Sequence, residues 1–158
     1  MKSAKGPIKR SPYIVALSRD HHHALLLGWK IRKGLSGKVD PVRIAALATD
    51  FNEKHLKNHF RQEEDLLFRH LPDADPLREK GYRDHEQLQQ LFDQIRTAPG
   101  SDTLEKLTRD LDEHIRFEER MLFPHLEDLL PEPVLQDAAA RLEAEHQPVP
   151  DDWEDRFW

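Results

Sequence analysis

The chain has 158 residues, of which 34% are charged and 37% hydrophobic, and with only six glycines this balance indicates one domain of long amphipathic helices. It contains no cysteine, which excludes disulfides, thiolate zinc sites and cysteine nucleophiles and leaves nitrogen and oxygen as metal donors. The net charge of −6 argues against a nucleic-acid or acidic-membrane surface, and no apolar run approaches the roughly 20 residues of a membrane span. A cytoplasmic protein is therefore the expectation.

Prolines, glycines and capping residues divide the sequence into four long helical segments, preceded by a basic leader over residues 1–11 that is expected to be flexible. The predicted segments run from Ser11-Pro12 to Gly34 with Gly37, from Asp40-Pro41 to Leu71, from Asp75-Pro76 to Pro99-Gly100, and from the capping box Asp102-x-x-Glu105 toward Leu130. The second would be roughly 45 Å long at ~1.5 Å per residue. Pro124 is expected to bend the fourth.

The remaining residues, 131–158, are predicted to form a short fifth helix over about 134–145 and an aromatic tail. The tail contains Trp153, Phe157 and Trp158, which are expected to dock on the domain or on a second subunit. Four amphipathic helices with short connections predict an all-α fold. Its expected form is an up-down-up-down four-helix bundle over residues 12–130 with a short C-terminal fifth helix.

Two stretches of the chain, 59–71 and 114–126, align without gaps and share 8 of 13 residues. Each contains a histidine followed four residues later by a glutamate, which places the two side chains on one face of a helix. An Arg-Asp-His triplet precedes each stretch, at 19–21 and at 83–85. The chain therefore consists of two copies of one unit, in which each unit contributes two histidines and one glutamate.

The histidine and glutamate of each copy interrupt an apolar stripe that predicts the core-facing line of its helix. A single His-x-x-x-Glu on a charged helix is most often an exposed pair, but two copies in register on predicted core lines favour burial. Buried without partners, such groups would each cost several kcal/mol, whereas metal ions compensate both types of side chain. The candidate ligands of a dinuclear metal site are His21, His59, Glu63, His85, His114 and Glu118.

Several other polar residues compete for a role near this site. His22 or His23 could replace His21 as the first-helix ligand, but His21 is favoured because it shares a helix face with Leu17 and aligns with His85. The remaining candidates are predicted to lie outside the ligand set. His55 is expected to lie beside the ligands or to be partly exposed, and structural roles at helix ends are predicted for His70 and His125. Surface ion pairs are predicted for Glu64 and Glu119. No partner is evident for His146.

The ordered set of His21, His59-x-x-x-Glu63, His85 and His114-x-x-x-Glu118 resembles the hemerythrin-like, or HHE cation-binding, domain over roughly residues 12–130. The resemblance implies a non-haem di-iron centre within a four-helix bundle. Glu63 and Glu118 would bridge the two iron ions, with an oxo or hydroxo group as a third bridge. The expected ligands are small diatomic molecules such as O2 or NO.

The chain departs from the oxygen-carrying members of this family at Gln89, which lies four residues after His85 where those proteins have a fifth histidine. It is more similar to the symmetric four-His, two-Glu members, some of which are implicated in repair of iron-sulfur clusters and in handling nitric oxide. The expected function is binding or reduction of O2, peroxide or NO in stress response or sensing. The alternatives are an iron donor or store without turnover, and a structural site for zinc or mixed metals.

No phosphate-binding loop, dinucleotide fingerprint or Ser/His/Asp arrangement is present, so an electron donor would have to be another protein. Which two histidines share an ion is not determined by the sequence.

Overall fold

The computed structural model describes residues 12–158, and every regular element within that range is helical. The helices are α1 (Val15–Ser36), α2 (Pro41–Phe51), α3 (Lys57–Leu66), α4 (Pro76–Thr97), α5 (Ser101–Phe117), α6 (Phe123–Leu129) and α7 (Glu132–Glu145). A π-helical turn, Asn52–Leu56, joins α2 to α3, and a second, Glu118–Leu122, joins α5 to α6. The result is the predicted bundle of four long helical rods, with α7 as the short C-terminal helix.

The capping residues set two of the helix starts as predicted. The Asp40 carboxylate accepts a hydrogen bond from the backbone N–H of Val42, and the Asp75 carboxylate accepts from Leu77 and Arg78. In both cases a proline occupies the first turn, where its missing N–H costs nothing. The predicted cap Ser11 and the predicted flexible leader, residues 1–11, lie outside the described residues.

Three predicted boundaries are wrong. The first helix begins at Val15, three residues after the predicted first helical residue Pro12. The second rod leaves the α-helix at Leu67 (φ −127°, ψ −62°), four residues before the predicted end, and a 3-10 turn over Phe68–His70 follows. This change of direction buries Leu67 and Phe68 completely. The predicted capping box also fails, because α5 begins at Ser101 after Gly100 and has no side-chain cap.

Pro124 does not interrupt the fourth rod. It lies in the first turn of α6, which directly follows the π-helical turn Glu118–Leu122. A proline cannot donate the backbone hydrogen bond that an uninterrupted α-helix requires at that position. A π-helical turn changes the hydrogen-bonding register just before the proline, so the rod continues to Leu129.

The hydrophobic core consists of two clusters, and the predicted ligands lie along the helices between them. Leu17 belongs to one cluster and Ala24 to the other, with His21 between them on α1. On α5, His114 is followed by Ile115 of the first cluster and Phe117 of the second. The buried polar residues therefore occupy the middle of the bundle.

The C-terminal tail docks on the bundle itself, as one of the two predicted alternatives stated. Trp153, Phe157 and Trp158 pack against the core cluster that contains Ile44. Gly34 permits this contact, because a Cβ atom there would lie 2.8 Å from both the Phe157 ring and the Ile44 side chain. None of the helices among residues 12–158 combines the length and apolar character of a membrane span.

Candidate metal centre

The six predicted ligands converge in the middle of the bundle. Each of them is at most 4% exposed, and both glutamates are completely buried. The first rod supplies His21, the second His59 and Glu63, the third His85 and the fourth His114 and Glu118. Helical periodicity places these side chains on the inward face of each rod, as the apolar stripes predicted.

The six residues form two groups that share both carboxylates. One group is His21, His59, Glu63 and Glu118, and the other is Glu63, His85, His114 and Glu118. In each group the potential ligand atoms all lie within 4.8 Å of one another. The histidines therefore pair within each sequence repeat, which the sequence left open.

The two groups have nearly the same geometry. The imidazole rings of His21 and His59 are 5.1 Å apart, centroid to centroid, and those of His85 and His114 are 4.9 Å apart. Both pairs are edge-on, with interplanar angles of 65° and 72°. The structure thus reproduces the sequence duplication as an approximate two-fold arrangement around the carboxylates.

Each carboxylate lies between histidines of both repeats. Glu118 Oε1 is 2.8 Å from His21 Nε2, and its Oε2 is 3.1 Å from His114 Nε2. Glu63 Oε1 is 3.1 Å from His85 Nε2, while its Oε2 is 3.3 Å from His59 Nε2. This position between the two histidine pairs is the one that a bridging carboxylate needs.

The arrangement of the donor atoms suits metal coordination better than it suits hydrogen bonds among the same side chains. Nε2 of His59, Nε2 of His114 and both carboxylate oxygens of Glu63 are buried without a hydrogen-bond partner. Their histidine–carboxylate contacts of 3.1–3.3 Å are ionic, and buried polar atoms that lack well-formed hydrogen bonds cost free energy unless something compensates them. Two imidazoles and two shared carboxylates around each position form a donor set that first-row transition metals accept.

A carboxylate accepts a hydrogen bond from the far side of each of the four histidine rings. The Nδ1 atoms of His21 and His85 lie 3.0 and 2.7 Å from Glu119 and Glu64, respectively. These two glutamates were predicted to form surface ion pairs, and that prediction is wrong. Each instead contacts a histidine of the opposite repeat.

The other two histidines bind aspartates of the Arg-Asp-His triplets. His59 Nδ1 lies 3.0 Å from Asp20, and His114 Nδ1 lies 3.0 Å from Asp84. When Nδ1–H donates to a carboxylate, the Nε2 lone pair is directed to the centre and the ring is held in place. The sequence analysis missed these aspartates as functional residues, although their duplication beside His21 and His85 was a signal.

Phenylalanines of the repeated stretches stack on two of the rings. Phe123 lies against His21 at 5.3 Å with an interplanar angle of 7°, and Phe68 lies against His85 at 5.4 Å and 25°. Phe60 stacks on the His85 ring at 3.9 Å. These contacts restrict ring rotation and keep water away from the ligand atoms.

The remaining histidines are outside the centre. His22 is exposed, which favours His21 as the first-helix residue of the site. His125 Nε2 lies 2.6 Å from Asp75, the cap of α4, in agreement with the predicted structural role, and His70 is exposed. His55 is partly exposed, as one of its predicted alternatives stated.

Gln89 does not contribute to the centre. Its side-chain amide donates to Asn52 Oδ1 at 2.8 Å and accepts from Asn52 Nδ2 at 3.1 Å. Asn52 is buried at the start of the first π-helical turn, so this reciprocal pair satisfies both amides. Gln89, which occupies the position of the fifth histidine, is therefore hydrogen-bonded to Asn52 instead.

The carboxylates control the protonation of the site in the metal-free protein. Burial alone lowers the pKa of His59, but Glu63 and Asp20 outweigh it and raise that pKa to about 9. For His21, Glu118 and Glu119 overcome burial in the same way, and the pKa lies well above its ordinary value. Both pKa shifts favour the protonated imidazole in the metal-free protein, so a metal ion must displace a proton from each ring.

The comparisons with known proteins agree with this geometry. The family model described as Hemerythrin HHE cation binding domain matches residues 13–126, and it matches residues 81–149 a second time. The second match overlaps the first and includes the second repeat, as expected for an internal duplication. No curated protein and no solved structure matches the chain.

Metal-free protein should become less stable as pH rises from 6.5, the ordinary histidine value, through about 9, because deprotonation of His59 removes its attraction to Glu63. That stabilisation is fully present below pH 6.5, since the folded-state pKa is the higher one. Metal-loaded protein should show the opposite trend and lose its ions on acidification. Melting temperatures of both forms across this range test the prediction. A flat curve for the metal-free form would contradict it.

Glu64→Gln and Glu119→Gln should each weaken cation binding by roughly 10- to 100-fold, because an amide is a poorer acceptor for the histidine N–H than a carboxylate. Competition against a chelator of known affinity provides the measurement. Glu86→Gln is the matched control, since Glu86 is exposed on α4. Unchanged affinity in both variants would restore the role in surface ion pairs that the sequence predicted.

Proposed function

Because the chain belongs to the hemerythrin HHE cation binding domain family, we propose that it holds two iron ions and binds or reduces a small oxidant. The observation that carries this proposal is the pair of four-donor groups that share Glu63 and Glu118. Two such groups provide for two ions held close together. Their nitrogen and oxygen donors suit iron.

The proposed ligand assignment follows the two groups. His21 and His59 would hold one ion and His85 and His114 the other, with Glu63 and Glu118 shared by both. Iron in such a site supplies redox chemistry and coordination positions for small molecules. The side chains would hold the ions between the two halves of the bundle, and the carboxylates that accept from Nδ1–H would fix the orientation of each ring so that Nε2 is directed to the ions.

O2, peroxide and NO are the proposed ligands, in stress response or sensing. The support is the four-histidine set, because Gln89, which occupies the fifth position, is hydrogen-bonded to Asn52. Each ion would then have only two imidazoles and two carboxylates from the protein, which leaves positions for a small molecule on both. Electrons for any reduction would come from a partner protein.

A second candidate function is an iron donor or store. It is favoured by a pocket whose lining includes His59 as well as residues of α7 and the tail. Through such an opening an ion could leave without unfolding of the bundle. The two candidate functions differ in turnover, which the first requires and the second does not.

Protein produced with iron supplied should contain about two iron ions per chain, because six ligands form two donor groups. His59→Ala and Glu63→Ala should each lose at least one ion. His22→Ala, which alters the exposed neighbour of His21, should retain both. Elemental analysis of the purified proteins measures this directly. Full retention in both ligand variants would refute the assignment, and zinc in place of iron would favour the structural alternative.

Reduced, iron-loaded protein exposed to air should oxidise and should not hold O2 reversibly, since no fifth histidine makes the two ions unequal in protein ligands. NO should bind the reduced protein readily for the same reason. Stopped-flow absorption spectra during repeated cycles of oxygenation and deoxygenation provide the measurement. An absorption band that appears with O2 and disappears without it, cycle after cycle, would support a carrier instead.

A further inference from the structure

The two halves of the metal centre differ on one outer face. In the second repeat, Lys80 Nζ contacts the Asp84 carboxylate at 2.9 and 3.1 Å and lies over the Phe117 ring, 4.6 Å from its centroid. These contacts cover the Asp84–His114 pair. The first repeat has Ala16 at the position that corresponds to Lys80, five residues before His21. It has Gln62 at the position that corresponds to Phe117, three residues after His59.

The smaller and more polar residues leave a pocket in the first repeat. Its lining includes Ala16, Asp20, His59 and Gln62, together with residues of α7 and the start of the tail. Of the six residues of the metal centre, His59 is the one that lines this pocket. Its ring lies between the pocket and the shared carboxylates.

Three further histidines line the same pocket, and none of them belongs to the metal centre. They are His23 on α1, His55 in the first π-helical turn and His146 directly after α7. Because all three line one pocket, they lie near one another. In the second repeat, the positions of His23 and His55 are occupied by Gln87 and Asp110.

We propose that this pocket is the route by which divalent metal ions enter and leave the dinuclear centre, with His23, His55 and His146 as transient ligands. The proposal rests on the proposed function, since it concerns the supply of that centre. Imidazole is a suitable ligand for ferrous iron. Among the described residues, the ligand atoms of these three rings do not form a group within 4.8 Å of one another, as those of the metal centre do. This wider spacing suits the transfer of an ion better than its storage.

The charges at the pocket favour a cation. Asp20 and Glu145 contribute carboxylates, and the one lysine of the lining, Lys54, is paired with Asp50 at 2.8 Å. Asp20 is hydrogen-bonded to His59 Nδ1, while Nε2 of the same ring lies 3.3 Å from Glu63 Oε2 and faces the centre. An ion at the inner end of the pocket would therefore reach a side chain that is also a ligand of the final site.

A groove beside His85 is a poorer route. The Phe60 ring is stacked on His85 at 3.9 Å, and the groove is lined by the cations Lys57 and Arg61 together with the carboxylates of Glu64 and Glu86. Lys57 is paired with Glu53, and Arg61 donates a hydrogen bond to the neutral Asn58. A divalent ion would meet the Phe60 ring over His85 there, and the Glu64 carboxylate of this groove is already bonded to His85 Nδ1 at 2.7 Å.

The test is the rate of ferrous iron uptake by metal-free, full-length protein without oxygen, and the rate of iron removal by a chelator. The double variant His55→Gln/His146→Gln and the single variant Ala16→Lys, which reproduces Lys80 of the second repeat, should slow both rates by roughly tenfold. Both variants should still reach the final iron content of the unchanged protein. His22→Gln and His70→Gln, at exposed positions elsewhere, are the matched controls.

The outcomes separate this proposal from the proposed function. Failure of the unchanged protein to bind iron would overturn both. Normal iron content with unchanged rates in the double histidine variant would overturn the route alone, whether or not Ala16→Lys folds. A lower final iron content in that variant would also overturn it, because His55 and His146 would then belong to a stable site. Slower rates with normal content would support the route.

Discussion

The structure depends on two carboxylates, Glu63 and Glu118, that are completely buried in the middle of a four-helix bundle. Neither could remain charged there without compensation, since burial of an isolated carboxylate is far more costly than a domain of this size tolerates. Four imidazoles surround the pair, and each imidazole is held from behind by a further carboxylate. The polar centre is therefore an ordered network, and the hydrophobic core is divided in two around it.

Much of this arrangement is predictable because the sequence contains the same ligand motif twice. Duplication identified the six residues of the centre, and helical periodicity placed them on inward faces. Caps such as Asp40 and Asp75 marked helix starts correctly, because their hydrogen bonds are local. The early end of α3 at Leu66 was not predictable, since the apolar spacing continues to Leu71 and only the tertiary burial of Leu67 and Phe68 decides the turn.

The roles of Glu64 and Glu119 were missed for a geometric reason. A residue directly after a ligand lies about 100° around the helix, which on an isolated helix points toward solvent. In a bundle that direction faces the neighbouring rod, where the Nδ1 atoms of His85 and His21 are located. The pocket at His59 could not be predicted either, because it depends on where α7 and the tail pack against α1 and α3.

The contacts of Glu119 with His21 and of Glu64 with His85 cross between the repeats, so one repeat alone lacks part of the surroundings of its own histidines. Two separate copies of one repeat would have to associate around a two-fold axis to complete the network, and their assembly would depend on concentration. Covalent linkage removes that dependence. It also allows the two repeats to differ in sequence, so that Lys80 covers one flank of the centre while the other flank has Ala16. A symmetric homodimer could not make that distinction, because every change would appear on both flanks.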